Sequence, residues 1–374
     1  MTSGYRCTFD RDARGRTRVS YLKNGERISG LALWHMPMRM GSCEVLMGGI
    51  GGVWTHQRHR KRGYASIVME DAVRWMREHA FDVSVLFGIG DFYWRWGFIT
   101  TLASTTVGVP TRHAETVKRT ARPRKFRKRD LVAAMRLFNR DNARRTGSLV
   151  RRKSSWTPWR VGVRWAEPPE IFLYTVRGRV VGVAGFCLAG DAVACVEVSA
   201  VDAAAFGGML RHAADLAVAR RVASIIFHVP GDHPFTDFCR EQGCQVRTRV
   251  PRVAGGMGRL INQSQCLGKI TPELTRRLRE SKLARWSGTL AVVTDLETTR
   301  LRVKRGEVRV GNVVGRADVT LRLPQERLTQ LVFGFQPVRH LLTHTGTKLT
   351  GDRVDLVDTL FPRHEAHVWT ADHF

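Results

Sequence analysis

Residues 53–65 read Val-Trp-Thr-His-Gln-Arg-His-Arg-Lys-Arg-Gly-Tyr-Ala and follow a Gly-Gly-Ile-Gly-Gly run at 48–52. No other stretch limits the fold as tightly. A β-branched strand runs into a basic loop with a single glycine, and the loop opens a helix at about Tyr64. The first amides of a helix have no intrahelical acceptor and carry partial positive charge. A glycine at that point lets an anion approach the main chain, and Arg60, Lys61 and Arg62 add formal charge around it. The pattern predicts a cradle for a pyrophosphate.

Two common glycine loops do not fit. No Lys-Ser/Thr follows Gly63, which excludes a P-loop, and Gly49-x-Gly51 lies inside a strand and does not open a helix, which excludes the dinucleotide fingerprint. What remains is Arg60-x-x-Gly63-x-Ala65. Taken alone it also fits a basic helix start on a solvated face, so the following residues matter. Residues 64–80 have the period of an amphipathic helix, with Ile67, Val68, Ala72, Val73 and Met76 on one side. Phe81 to Phe87 reads as a short apolar strand broken by Gly88 and Gly90, and Asp91-Phe92-Tyr93-Trp94-Arg95-Trp96-Gly97-Phe98 reads as a short helix ending at a glycine.

This order of loop, helix, strand and Phe-Tyr-x-x-x-Gly-Phe resembles the GNAT acetyltransferase superfamily, and most of all its Eis-like branch. The chain matches that branch's loop pattern at Gly51, Gly52, Val53, Thr55, His56, Arg60 and Gly63, and departs from it at Trp54 and Gln57. The expected fold class is α/β (α+β): tandem GNAT domains with a C-terminal sterol-carrier-protein-like domain.

Along the chain, Arg18–Lys23 and Arg27–Trp34 flank Asn24-Gly25, a strong hairpin signal, and Cys43–Thr55 gives a third strand. A strand near 101–109 closes a first domain over 1–117. GNAT domains usually begin with a strand and two helices. The roughly sixteen polar, charged residues before this hairpin leave no room for that helix pair, so either the start lies upstream or the acceptor side is open. Residues 118–257 form a second unit. Asp130 caps a helix through Asn139, strands run over 171–176, 180–188 and 192–200, with a turn at Gly190-Asp191, an Ala-rich helix covers 203–220, a buried strand spans 224–229, and Phe235 to Gly243 forms a short helix. This unit resembles a GNAT domain without its loop. Asp202 stands at the helix start, where it would repel a pyrophosphate, so this domain is expected not to bind coenzyme A. Residues 258–374 form the third domain, with a helix at 272–283, strands at 288–294, 299–304, 307–313 and 318–323, and a helix at 324–333.

The resemblance implies transfer of an acetyl group from acetyl-CoA to a primary amine of an unidentified acceptor. It places the main chain of Val53 and Thr55 at the acetyl group and pantetheine arm, and Arg60, Lys61, Arg62, Gly63, Tyr64 and Ala65 around the pyrophosphate. Tyr93 takes the place of the general acid, and the terminal carboxylate of Phe374 that of the base, with Asp372 as a neighbouring candidate. His56 and His59 flank the loop. A homo-oligomer, a hexamer in the branch, is implied too.

The net charge of +28, from 61 basic and 33 acidic side chains, admits a polyanionic partner. Arginine supplies 51 of those basic residues, which also fits a compositional bias. The densest block, Lys118–Arg129 with eight basic residues in twelve, reads as a solvated linker. A nucleic-acid-associated acetyltransferase or binding protein is therefore the second reading, and a non-catalytic coenzyme-A-binding scaffold the third. Seven cysteines lack a Cys-x-x-Cys pair and the 13 histidines form no ligand-spaced cluster, so no metal is expected. Reduced thiols, no apolar run of 18 residues and no signal segment predict a cytoplasmic protein without a membrane span.

Overall fold

β1 (Cys7–Arg11), β2 (Thr17–Lys23), β3 (Glu26–Met40) and β4 (Cys43–Thr55) form an antiparallel meander in the computed structural model. The structure describes residues 4–13, 15–154, 156, 169–189, 191–311 and 315–374. Asn24 and Gly25 both take positive φ, 50° and 80°, as a two-residue hairpin requires. The sequence pattern did not foresee β1. It is a polar edge strand, and a buried carboxylate fixes it: Asp71 accepts the amides of Arg6 at 2.7 Å and Cys7 at 2.9 Å.

β5 (Val83–Gly88) runs parallel to β4, and the helix Tyr64–Glu78 crosses between them. Val68, Met69, Ala72 and Met76 of that helix are fully buried against Leu33, Ile50 and Phe81. Ile67 and Val73, expected on the same side, are half-buried at its margin. The strand expected over 101–109 is split at Ala103 into β6 (Ile99–Leu102) and β7 (Ser104–Pro110), which enter different sheets.

β7 opens a second compact unit, formed by Ala103–Val250 with His367–His373. Its other strands are β8 (Arg122–Lys125), β9 (Glu170–Val176), β10 (Arg179–Ala189), β11 (Ala192–Ala200), β12 (Ser224–Phe227) and β13 (Gln245–Arg249), in the order β13-β7-β12-β11-β10-β9-β8. Gly190, in the turn expected between β10 and β11, lies outside the described residues. The helix Ala204–Ala219 is apolar nearly all round and buries ten residues against this sheet. The expected linker at 118–129 is in part structured. Ala121 is buried and β8 forms the sheet's edge, because Arg124 pairs with Asp130 through two bonds of 2.7 and 2.9 Å and Arg119 pairs with Asp215. Asp130 caps the short turn Lys128–Asp130 by accepting the Arg127 amide at 2.9 Å, and makes no side-chain cap to the helix Leu131–Asp141 that follows.

β14 (Gly255–Leu260) returns to the first sheet between β5 and β6, giving the order β1-β2-β3-β4-β5-β14-β6. The first compact unit thus comprises Met1–Leu102, Pro251–Ala366 and Phe374. The units change over at 102/103 and 250/251, whereas the sequence reading set its boundaries at 117/118 and 257/258. The first unit also contains a five-stranded sheet, β15 (Gly288–Val293), β16 (Thr298–Lys304), β17 (Glu307–Val310), β18 (Val319–Arg322) and β19 (Lys348–Thr350), in the order β17-β16-β15-β18-β19. β17 ends at Val310, and residues 312–314, where its expected end falls, lie outside the described residues. The helix expected at 272–283 spans Thr271–Arg279, and a helix at Gln263–Lys269 precedes it. The helix Gln325–Val332 ties the two sheets of this unit together: Gln325 Nε2 donates to the Gly97 carbonyl at 2.7 Å and Gln330 Nε2 to that of Thr100 at 3.1 Å. No helix among the described residues is long and apolar enough to cross a membrane.

Candidate active site

The site forms where β4 and β5 part. They pair from Met47↔Val83 to Ile50↔Leu86 and no further. Beyond Ile50, β4 stays with β3 as far as Thr55, while β5 follows β14 as far as Gly88. A fork opens between Gly51–Thr55 and Phe87–Gly88, and the β5-side main-chain groups of that part of β4 have no strand opposite among the described residues. The β3–β4 register shifts between Gly30 and Ala32, and Gly52 has φ 58°. One extra residue on β4 with a left-handed glycine is a bulge, and a bulge re-aims the strand that carries it. Val53 and Thr55, half-buried, follow directly.

β4 leads into the basic loop. The His56 amide bonds the Ile28 carbonyl at 2.8 Å, residues Gln57–His59 make one 3-10 turn, and Lys61 and Gly63 both take positive φ, 61° and 80°. Gly63 is the N-cap of the helix Tyr64–Glu78, and nothing lies within 4 Å of where its Cβ would be. The Ser66 and Ile67 amides fold back onto the Gly63 carbonyl, whereas those of Tyr64 and Ala65 find no acceptor among the described residues. Arg60 Nε reaches the Thr55 carbonyl at 3.3 Å, and Lys61 and Arg62 are exposed. The predicted residues at 53, 55 and 60–65 therefore form one continuous run from fork to helix start. His56 and His59 lie beside it with rings 6.0 Å apart.

Tyr93 lies in the short turn Tyr93–Trp96, with Phe92 at 4.9 Å and its own ring against Gly88. Its hydroxyl has no hydrogen-bond partner among the described residues, and burial pushes its pKa above the usual 10. Phe374 lies on Gly49 and Gly51. A Cβ on Gly49 would stand 2.8 Å from the Phe374 ring, and one on Gly51 would stand 3.0 Å from its terminal carbon. The ring also meets Phe87 at 5.6 Å. Successive strand residues point to opposite faces. Gly48 and Gly88 face the side carrying the helix Tyr64–Glu78 and Tyr93, and Gly49, Gly51 and Phe87 face Phe374. The two candidate catalytic groups thus flank the fork from opposite faces.

Sequence reasoning did not assign Gly49 and Gly51 this role. The available signal was two glycines at i and i+2 inside a strand, a mark of close approach by another chain segment. Trp34 was also missed; its Nε1 lies 3.6 Å from the same point above Gly51.

The second unit has a comparable fork, filled by its own side chains. β12 leaves β11 after Cys195↔Phe227, and all of β11 is buried. There Arg151 makes a two-pronged pair with Glu197 at 2.7 and 2.8 Å and bonds Asp372 at 3.0 and 3.1 Å. Asp202 takes the Ala204 amide at 2.9 Å, so the helix start there is satisfied internally and carries a negative charge. Asp372, the alternative base, is thereby committed to Arg151. Among the described residues no group of three or more His, Cys, Asp or Glu is placed to hold a metal.

Residues 9–100 match the family model of the acetyltransferase (GNAT) domain. Solved structures share the fold of nearly the whole chain. A conserved protein of unknown function from Enterococcus faecalis V583, described as a probable N-acyltransferase, has a TM-score of 0.77 at 14% identity over 96% of this chain and 89% of that one. A GCN5-related N-acetyltransferase from Kribbella flavida gives 0.75 at 17% over 96% and 87%, and Eis1 from Mycobacterium abscessus 0.66 at 16% over 96% and 90%. No curated protein matches by sequence. Residues 9–100 thus carry the pattern of a GNAT acetyltransferase domain, and 96% of the chain shares the mixed α/β, several-sheeted fold of those solved structures.

Proposed function

We propose that the chain is an acetyl-CoA-dependent N-acetyltransferase acting on a primary amine. The observation that carries this reading is the fork itself, where β4 beyond Ile50 faces no strand on its β5 side among the described residues and runs into a glycine-capped helix start ringed by Arg60, Lys61 and Arg62. The Tyr64 and Ala65 amides and these cations would hold the pyrophosphate. The re-aimed Val53 amide would polarise the thioester carbonyl as negative charge develops there, and Thr55 would hold the pantetheine arm.

With Tyr93 and Phe374 on opposite faces, thioester and amine meet across the fork. The amine nitrogen bonds to the carbonyl carbon and the C–S bond breaks. The proton shed by the amine passes to the Phe374 carboxylate, and the Tyr93 phenol protonates the departing thiolate. A raised phenol pKa keeps that proton in place near neutrality. We extend the reading to a homo-oligomer in the cytoplasm, to a second unit that binds no coenzyme A, and to a sterol-carrier-protein-like character for residues 258–374.

Titration calorimetry with acetyl-CoA tests the core of this reading. Binding is expected for the intact chain and is lost on Gly63→Asp, which sets a carboxylate where the diphosphate would lie. Absence of binding by the intact chain overturns it. Mass spectrometry of an amine panel incubated with acetyl-CoA then identifies the acceptor class.

A further inference from the structure

The sheet β15–β19 buries one face; on the other, Thr289 and Ala291 of the central strand β15 are also buried, while the strands flanking it expose charged side chains. On β16, Leu301 and Val303 are buried, while Arg302 and Lys304 point the opposite way and are exposed. The same alternation places Arg309 of β17, Arg322 of β18 and Lys348 of β19 on that outer face. The register sets cation against cation twice, Arg302↔Arg309 and Arg322↔Lys348. Like charges directly opposite each other weaken a ladder, so the arrangement costs stability unless an anion bridges them.

Little within the chain offsets this charge. Glu307 pairs with Arg309 at 2.8 Å, and the Asp318 carboxylate accepts the Thr289 amide at 2.7 Å. Arg302, Lys304, Arg316, Arg322 and Lys348 make no ion pair among the described residues. An open groove of about 580 Å³ is lined by Arg316, Arg322 and Lys348 together with Thr320, Thr350 and the single carboxylate of Asp318.

We propose that this outer face binds the phosphodiester backbone of nucleic acid without reading its sequence. Guanidinium forks match phosphate oxygens. Cations at alternate strand positions form a row spaced by about 6.8 Å, which a flexible polyanion can follow. None of the large exposed apolar side chains, Trp54, Ile89, Trp94, Val132, Leu188, Val201, Val218 and Val250, lies on this sheet, which leaves neither an anchor for a lipid bilayer nor an apolar centre for a protein interface. Among the described residues the strands of this face carry no aromatic platform for base stacking, so affinity comes from charge and falls steeply with salt. This inference is independent of the acetyl-transfer reading.

The test uses the full chain and a fluorescein-labelled single-stranded 30-mer RNA, with anisotropy read across a salt series. The triple variant Arg302→Gln, Arg322→Gln, Lys348→Gln is compared with Arg122→Gln, Lys128→Gln, Arg129→Gln, which removes the same charge from the dense basic block. The face variant is expected to lose tenfold or more in affinity, and its log–log salt slope to fall by about 2, at roughly 0.7 per single-strand phosphate contact. The control is expected to change less than threefold. Equal losses in both triples, or binding of anionic vesicles in preference to RNA, overturn the proposal. A second readout needs no variant: RNA should shield Lys348 and Lys304 of the wild-type chain from acetic anhydride while Lys128 stays reactive, and unshielded lysines on the sheet likewise overturn it.

Discussion

Phe374 occupies the space that a side chain on Gly51 would need: a Cβ there would lie 3.0 Å from the terminal carbon and 3.1 Å from its oxygen. Both contacts are closer than side-chain carbons normally come, so one of the two must move on substitution. Gly51→Ala is predicted to lower kcat by about tenfold or more, the scale of a displaced general base, with acetyl-CoA affinity within a factor of two. Steady-state kinetics beside calorimetry checks this, and deleting Phe374 should give the same pattern with a larger fall in kcat. Unchanged turnover in both variants removes Phe374 from the mechanism.

Tyr93→Phe is predicted to reduce kcat by about a hundredfold, in the range for loss of a positioned acid, again with little effect on binding. The wild-type rate should hold at alkaline pH past the usual phenol pKa, because burial raises that of Tyr93 and the proton is retained longer. A pH–rate profile of both forms checks this. An alkaline limb identical in the two assigns the proton to another group.

The basic loop and the helix after it were legible in the sequence because both rest on local chemistry: one glycine with φ 80°, flanking cations, and a 3.6-residue apolar period. Phe374 could be named by resemblance, but its seat could not, since Gly49 and Gly51 lie more than 300 positions away and look like any strand glycines. The strand at 101–109 was misread because its apolar alternation continues across Ala103, and only the partners of β6 and β7 decide that the chain changes sheet there. β1 was missed for the opposite reason. It is polar, and what holds it is Asp71, a buried charge on the apolar side of a helix that periodicity alone would never place there.

Arg151 is 2% exposed and carries two carboxylates, Glu197 and Asp372, with the Phe138 ring 3.4 Å from its guanidinium carbon. Removing the cation leaves two buried charges facing each other. Arg151→Met is predicted to destabilise the second unit by about 3–5 kcal/mol, the usual cost of breaking a buried pair from one side. Replacing the group as a whole, Arg151→Met with Glu197→Gln and Asp372→Asn, should recover more than half of that loss. Hydrogen exchange in urea, read by mass spectrometry on peptides from β11 and β12, reports on this unit, and a triple variant no better than the single one would show that the charges are not what costs.

His212 is predicted to make the second unit sensitive to acid. It is buried against Phe172 and Phe186, and its Nδ1 shares a 2.9 Å hydrogen bond with the Tyr174 hydroxyl. Burial pushes its pKa from 6.5 down to about 4, against a partial opposing pull from Asp215. Between those values the unfolded chain binds a proton that the native chain refuses, so the stabilisation is complete above pH 6.5 and drains away as pH falls toward 4. One such group is worth on the order of 3 kcal/mol across the window. His367, buried beside Arg145 and lowered for the same reason, adds in the same direction. Urea midpoints at pH 7, 5.5 and 4.5 should therefore fall steadily in the wild type. His212→Gln has no proton to take up, so its midpoint should fall less steeply over the same range whatever its stability at pH 7. Parallel slopes for the two proteins would mean that His212 titrates alike in the folded and unfolded chains.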